Sequence, residues 1–419
     1  MHRLGLGVAG PYMDMLRERN VIILLVSSVA LSLFRGAIAW ILPLRLAKIG
    51  GPVLLGAAFA AANIDDTIIA FIGGFLGDRY GRKPVVVAST AFYSVGCLLF
   101  AVSFLSRGLA SRVIVFLATI CLYGMSGVSS GPGGAIISES VGEKNLGRAF
   151  SLISTSSVAA RAIGSLALGF VYAKTPVGAA LVALLLSFVA LAANVFLEET
   201  LEVKGGGQLL SLKEHVRMTM GMIQSALVTT FIPLVVIVTC NGLAHGISGN
   251  YYPPYLSASL NLNEAAIGTT YSVMAVVQAL LFPLAGWFSD RFGVAAALAL
   301  GNGGAGLAVL LFALSSSPSM AVSATIISGG LGVFYEIGRS VAIARSADRS
   351  FRSTLYGGMN ALWNAMFVVG PFIGGLLYAA KPVLPFNAAA VLLLVTTAPV
   401  LALRRAAGSV DTQPTDVQG

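Results

Sequence analysis

Charge is scarce in this chain. Only 10% of its 419 residues are Asp, Glu, Lys or Arg, against roughly a quarter in an ordinary soluble domain. Hydrophobic residues make up 57% and the mean hydropathy is +0.87. So few charges cannot cover a water-soluble surface, and a bilayer is the expected solvent. Cysteine is nearly missing too. Cys97, Cys121 and Cys240 all fall inside apolar runs without paired spacing, which excludes a disulfide framework and a thiolate metal site. No nucleophile, base and metal-ligand set is clustered, so neither an enzyme nor a cofactor or metal is expected. No glycine-rich phosphate loop is present, which excludes an ATP-driven pump. The first 20 residues carry Arg3, Asp14, Arg17, Glu18 and Arg19; they lack a cleavable leader's apolar core, and the first apolar run reads as an uncleaved anchor.

What is present is a series of apolar runs, each long enough to cross ~30 Å of hydrocarbon with about 20 helical residues. They fall at 21–43, 53–77, 84–105, 113–138, 149–173 and 177–197, then at 226–252, 265–289, 293–314, 320–344, 355–380 and 383–403. The expected fold is therefore an all-α membrane protein of twelve transmembrane helices in two pseudo-symmetric six-helix bundles. The N-terminal bundle is assigned to 1–200, a cytoplasmic linker with a short amphipathic helix to 201–225, the C-terminal bundle to 226–405 and a polar tail to 406–419. Glu198 and Glu199 read as the start of the flexible joint. The net charge of +9 reflects topology, not a nucleic-acid surface. Of the 26 Lys and Arg, only Arg45, Lys48, Arg107, Arg112, Lys174 and Lys381 fall in loops on the side opposite the termini. This asymmetry predicts both termini in the cytoplasm. Tyr251, Tyr252 and Tyr255 read as an interfacial aromatic anchor.

The sharpest motif is Gly74-Phe-Leu-Gly-Asp78-Arg79-Tyr-Gly81-Arg82-Lys83-Pro84-Val85, set between two apolar runs. A worn copy, Gly286-Trp-Phe-Ser-Asp290-Arg291-Phe-Gly293, follows about 212 positions later. Shifts of 210 to 212 also place Arg35-Gly36 over His245-Gly246, Gly56 over Gly268, and Asp66 over Gln278. The glycines keep a helix face thin, and Arg79, Arg82 and Lys83 suit a turn among lipid headgroups. In spelling and duplication this loop resembles that between the second and third helices of the major facilitator superfamily. The resemblance extends from about residue 20 to 405. It implies a secondary transporter in the cell (plasma) membrane, expected to be monomeric, with a small-molecule substrate and protons as partners. Departures weaken a drug-export assignment: Ile120 stands where such exporters carry an Arg, and Ala160-Arg161 replaces a Gly-Pro pair.

Ionisable groups inside spans cost at least ~2.5–3.5 kcal/mol each on insertion scales, so they are functional candidates. They are Arg35, Asp65, Asp66, Arg161, His245, Glu336 and Arg339, joined by the polar Gln278, Asn360 and Asn364. The fixed charges balance, three positive against three negative, which favours a paired network that exchanges partners. Asp66 is expected to pair with Arg161 or Arg35, and Glu336 with Arg339. A carboxylate released from its arginine into an apolar cavity gains proton affinity, a route to proton coupling. Gly74, Asp78, Arg79, Gly81, Arg82, Arg148, Asp290, Arg291 and Arg352 are assigned to a conformational switch, with Asp78 and Asp290 latching to Arg148 and Arg352. Two other readings stay open: an organic-anion exchanger or uniporter using Arg35 and His245, and a non-transporting membrane receptor.

Overall fold

The computed structural model describes the backbone of residues 17–123, 130–141, 146–201, 232–346 and 352–400. Within these, the side chains of 65–72, 74–75, 78, 130–131, 146–148, 344–346, 352–358 and 360–361 are not described. The described residues are helical throughout, with no strand. Nine helices among them are long and apolar enough to cross a membrane, and two shorter apolar ones, Gly108–Tyr123 and Leu384–Val400, accompany them.

The first helix, α1 (Arg19–Tyr80), is really two rods. Gly51 at φ 74° breaks it, with Pro52 next in line, so the chain turns back there. Glycine is required because a side chain is strained at positive φ. α2 (Arg82–Leu105), α3 (Gly108–Tyr123), α4 (Ser130–Ser140), α5 (Leu146–Lys174) and α6 (Pro176–Val195) complete the first half. The second half comprises α7 (Ile232–Ser248), α8 (Tyr252–Ala258), α9 (Glu264–Phe292), α10 (Val294–Ala299), α11 (Ala305–Ala313), α12 (Pro318–Ser346), α13 (Arg352–Ala380) and α14 (Leu384–Val395). A π-helical turn, Leu300–Gly304, joins α10 to α11.

The duplicated motif folds the same way twice. Gly81 (φ 102°, ψ 152°) and Gly293 (φ 88°, ψ 161°) make matching sharp turns between consecutive helices. The other repeated glycines mark crossings. A Cβ on Gly36 would collide with the Arg161 carbonyl, and one on Gly164 with that of Leu33, so α1 and α5 touch backbone to backbone. In the second half Gly246 meets Gly370 and the Met366 carbonyl, giving α7 and α13 the same close approach. Small residues at such contacts are what lets membrane helices gain dispersion contact and weak polar contacts in lipid.

Three expectations need correction. Tyr251 is not an interfacial anchor; it is fully buried, and its hydroxyl donates to the Pro371 carbonyl at 2.6 Å. Tyr252 and Tyr255 pack on Phe312 and Phe386 at centroid distances of 4.6 to 5.2 Å. These rings fill a core because α8 folds back over α11 and α14. Nor do Glu198 and Glu199 begin a loose joint. Asn20 clasps the Glu198 backbone, and Arg19 meets the Glu198 carboxylate at 2.6 Å. Glu199 accepts from the backbone N–H groups of Arg82, Lys83, Thr200 and Leu201 at 3.0 to 3.1 Å. It thereby caps the exposed N-terminus of α2, whose positive dipole end favours an anion. Arg82, expected among headgroups, instead pairs with Glu139 at 2.8 Å. The assigned linker at 201–225 lies, apart from Leu201, outside the described residues.

Partial burial alone would raise the Glu199 carboxyl, but its four backbone donors outweigh that and hold it below the ordinary carboxylate value. A depressed folded value means the stabilisation is present above the ordinary carboxylate range and is lost as pH falls through the lowered value. Glu199→Gln should therefore cost about 1 kcal/mol near neutral pH, the usual worth of an exposed cap. Melting curves of the detergent-solubilised protein should show this gap closing below about pH 4.

Candidate functional site

Where the two halves meet, one end of the molecule is tightly joined. Lys48 reaches the Glu264 carboxylate at 2.8 Å. Ser165 donates to the Gly268 carbonyl at 3.0 Å and itself accepts from Trp40 Nε1 at 3.2 Å. A Cβ on Gly268 would stand 2.8 Å from the Ser165 carbonyl oxygen and 3.0 Å from the Gly169 Cα. Gly268 therefore has to be glycine for α5 and α9 to meet. On the other flank Tyr251 also reaches the Pro52 carbonyl, at 3.5 Å. Asn63 bridges the halves at mid-depth, donating to the Phe59 and Phe367 carbonyls at 2.7 Å each.

Below this seal lies a cavity of about 230 Å³ lined by Phe59, Asn63, Tyr123, Asn250, Trp363, Asn364 and Phe367. Its walls are aromatic: Phe59 meets Tyr123 edge-on at 5.0 Å, and Trp363 tilts over Phe367 at 4.3 Å. The Trp363 indole donates to Asn241 Oδ1 at 3.3 Å, and Asn241 Nδ2 donates to Asn302 Oδ1 at 2.8 Å. Both asparagines are almost fully buried. This relay fixes the indole and runs into the π-helical turn, a distortion often found at functional positions.

The predicted charges divide into three groups. In the first, Arg161 lies within electrostatic range of both Arg35 and Glu336, without an ion pair to Glu336. Arg35 and Arg161 meet because Gly36 seats α1 on the Arg161 backbone. The Arg35 guanidinium lies over Tyr93 at 5.6 Å, while the Arg161 and Glu336 side chains are exposed. Arg339 belongs to the same wall, 5.7 Å from the Trp363 ring and 6.0 Å from that of Tyr335, and Asn364 faces the cavity.

A second group is engaged in contacts within and between helices. His245 Nδ1 donates to the Asn241 carbonyl one turn back in its own helix, at 3.0 Å. Gln278 donates to the Gly329 carbonyl at 3.1 Å, tying α9 to α12. At the motif, Arg79 lies 5.5 Å from the Tyr80 ring, Gly81 forms the turn, and Asp290 and Arg291 are exposed at the end of α9. The third group, the side chains of Asp65, Asp66, Gly74, Asp78, Arg148, Arg352 and Asn360, lies outside those described.

Sequence reasoning missed Phe59, Asn63, Tyr123, Asn250 and Phe367. An asparagine within an apolar run, one turn after Phe59 and two residues before Asp65, was the available signal.

The chain matches the Major Facilitator Superfamily over residues 8–232 and 234–417. It is 26% identical over 339 residues to the class G tetracycline resistance protein of Vibrio anguillarum, covering 78% of this chain and 80% of that protein. The class D tetracycline resistance protein of Salmonella ordonez is 34% identical over 159 residues, but that match spans only 37% of this chain and 40% of the relative. Multidrug resistance protein 1 of Bacillus subtilis (strain 168) is 30% identical over 152 residues, covering 36% of this chain and 39% of that protein. Among solved structures, a POT family transporter in complex with 5-aminolevulinic acid superposes with a TM-score of 0.70 at 13% identity, covering 94% of this chain and 97% of the other. The human organic anion transporter MFSD10 (TETRAN) gives 0.62 at 16% identity, covering 91% and 99%. A fold shared along nearly the whole chain, the twice-folded loop motif and the match to both halves agree: this multi-pass membrane protein belongs to the Major Facilitator Superfamily of transporters.

Proposed function

We propose that the chain is a proton-coupled secondary transporter that carries a small, drug-like organic amphipath by alternating access, through twelve spans. The Glu199 end and both termini lie in the cytoplasm. The observation behind this reading is that Arg161 of one half lies within electrostatic range of Glu336 of the other. A carboxylate facing a guanidinium stays ionised; moved away from it into an apolar cavity, it takes up a proton. Rocking of the halves separates these two groups, because α5 belongs to one half and α12 to the other. Proton uptake and release are thereby tied to the conformational change. Asp65 or Asp66 is the proposed second carboxylate of this network.

The cavity supports the substrate class. Aromatic rings on both halves with three asparagine amides suit a flat amphipath carrying carbonyl or hydroxyl groups. Relatives named for tetracycline and multidrug resistance make such compounds the first probes. At about 230 Å³ the cavity is below the roughly 300–1,000 Å³ of sites for drug-sized ligands. The halves must part to admit one. The organic-anion reading loses support, since His245 is engaged with its own helix. The Asp78–Arg148 and Asp290–Arg352 latches are proposed to close the cytoplasmic end in the opposite conformation.

In proteoliposomes with an imposed pH gradient, Glu336→Gln should lower gradient-driven tetracycline accumulation by about tenfold or more, the factor that ~1.4 kcal/mol represents. Exchange of tetracycline across the bilayer without a gradient should persist; unchanged accumulation would refute the coupling role.

The Lys48–Glu264 pair is 49% and 27% exposed, so it is worth about 0.2–1 kcal/mol. That shifts the balance between conformers by about fivefold at most. Spin labels flanking the joined end should report a broader distance distribution in Lys48→Glu. The double swap Lys48→Glu/Glu264→Lys should restore it.

A further inference from the structure

At the Lys48 end, outside the site described above, a second cavity of about 400 Å³ is lined by Arg45, Ile49, Phe104, Ser106, Arg107, Gly108, Ser111 and Arg112. We propose that it is a binding site for a phosphate-class oxyanion.

Three guanidinium groups share this one cavity, and no carboxylate pairs with any of them among the described residues. The sequence explains why. Of the chain's 17 acidic residues, Glu264 alone falls in a loop at this end, and Lys48 engages it. Arginines in loops of membrane proteins are commonly solvated individually by water or headgroups. Here two are instead anchored by the protein. Arg45 stacks on the Phe104 ring at 4.3 Å and donates through one terminal nitrogen to the Ser103 carbonyl at 2.6 Å, with Ser111 Oγ at 3.4 Å. Its Nε is buried, so the terminal nitrogens are the part of this guanidinium left to face the cavity. Arg112 is held by its Nε, which donates to the Ile49 carbonyl at 2.9 Å, and it lines the cavity.

Pre-ordered guanidinium forks match the geometry of phosphate oxygens and lose little entropy on binding. Gly108, at φ 61°, starts the 16-residue α3 at the cavity wall, so the first N–H groups and positive dipole end of that helix add to the same field. Carboxylates are a poorer fit, since they offer two oxygens to three guanidinium groups. Two sources could supply the anion: the headgroup of a phospholipid in the leaflet at this level, or free phosphate in solution.

The full-length protein, purified in an uncharged detergent, would be titrated in two arms. One uses phosphatidylglycerol in mixed micelles against phosphatidylcholine, and the other inorganic phosphate at constant ionic strength. The melting temperature is the readout. A saturable rise is expected, with apparent affinity falling about tenfold in Arg107→Gln and again in Arg107→Gln/Arg112→Gln, the loss that charge-assisted hydrogen bonds imply. Arg107→Lys/Arg112→Lys, which keeps the charge without the forks, should bind at an intermediate level and serves as the check on folding. A rise with phosphatidylglycerol alone identifies the lipid as the source, and a rise with both identifies the phosphate group as what is read. No rise in either arm, or an equal rise in the double Gln variant, would overturn the site.

Discussion

An arginine cannot shed its charge in a protein, so wherever the chain places one at mid-membrane depth, something must solvate it. Arg35 and Arg161 impose that demand on the whole molecule. Lipid cannot meet it, so other protein groups have to. The ring of Tyr93 takes part of the Arg35 charge, and Glu336 reaches Arg161 from the other half. The two bundles thus share an electrostatic centre. Its strength depends on how far apart they stand.

Glycine makes this arrangement sterically possible. Gly36 lets α1 lie on the Arg161 backbone, which sets the two cations side by side rather than a helix diameter apart. The equivalent crossing in the second half, Gly246 on Gly370, sets Trp363 near Asn241 and Arg339 instead. The same backbone device thus sets two cations together in the first half and an indole, an amide and a guanidinium together in the second. Mixed polarity of this kind is what an amphipathic solute needs.

Much of the fold was legible because the bilayer restricts the alternatives. Apolar run lengths located the helices, and the loop motif located two turns whose glycines share one conformation. The cost of burying charge singled out Arg35, Arg161 and Glu336 one by one. Spacing suggested Glu336 with Arg339; that Arg161 also lies within electrostatic range of Glu336, from the other half, is a tertiary fact that spacing cannot give. Asn63, Tyr123 and Phe59 were illegible for a different reason: polar and aromatic residues occur throughout the spans, and only tertiary approach selects those facing the cavity. Glu199 was misread because a glutamate just past a helix resembles a linker. Its capping of α2 requires two segments over a hundred residues apart.

The two ends of the molecule are stabilised by different physics, and this bears on how it moves. At the Glu199 end the described contacts are carboxylates on backbone N–H groups and arginines, all within the first half. They stiffen that half as a unit and are indifferent to where the other half sits. At the Lys48 end the contacts cross between halves: a surface ion pair, a hydroxyl on a carbonyl, and glycines in backbone contact. The ion pair is weak and salt-screened, and the glycine contacts lose little until the helices actually part. Such an interface opens by a rigid rocking of the halves rather than by unravelling either one. The cost of opening stays small enough for a ligand with differential affinity for the two conformers to decide its direction.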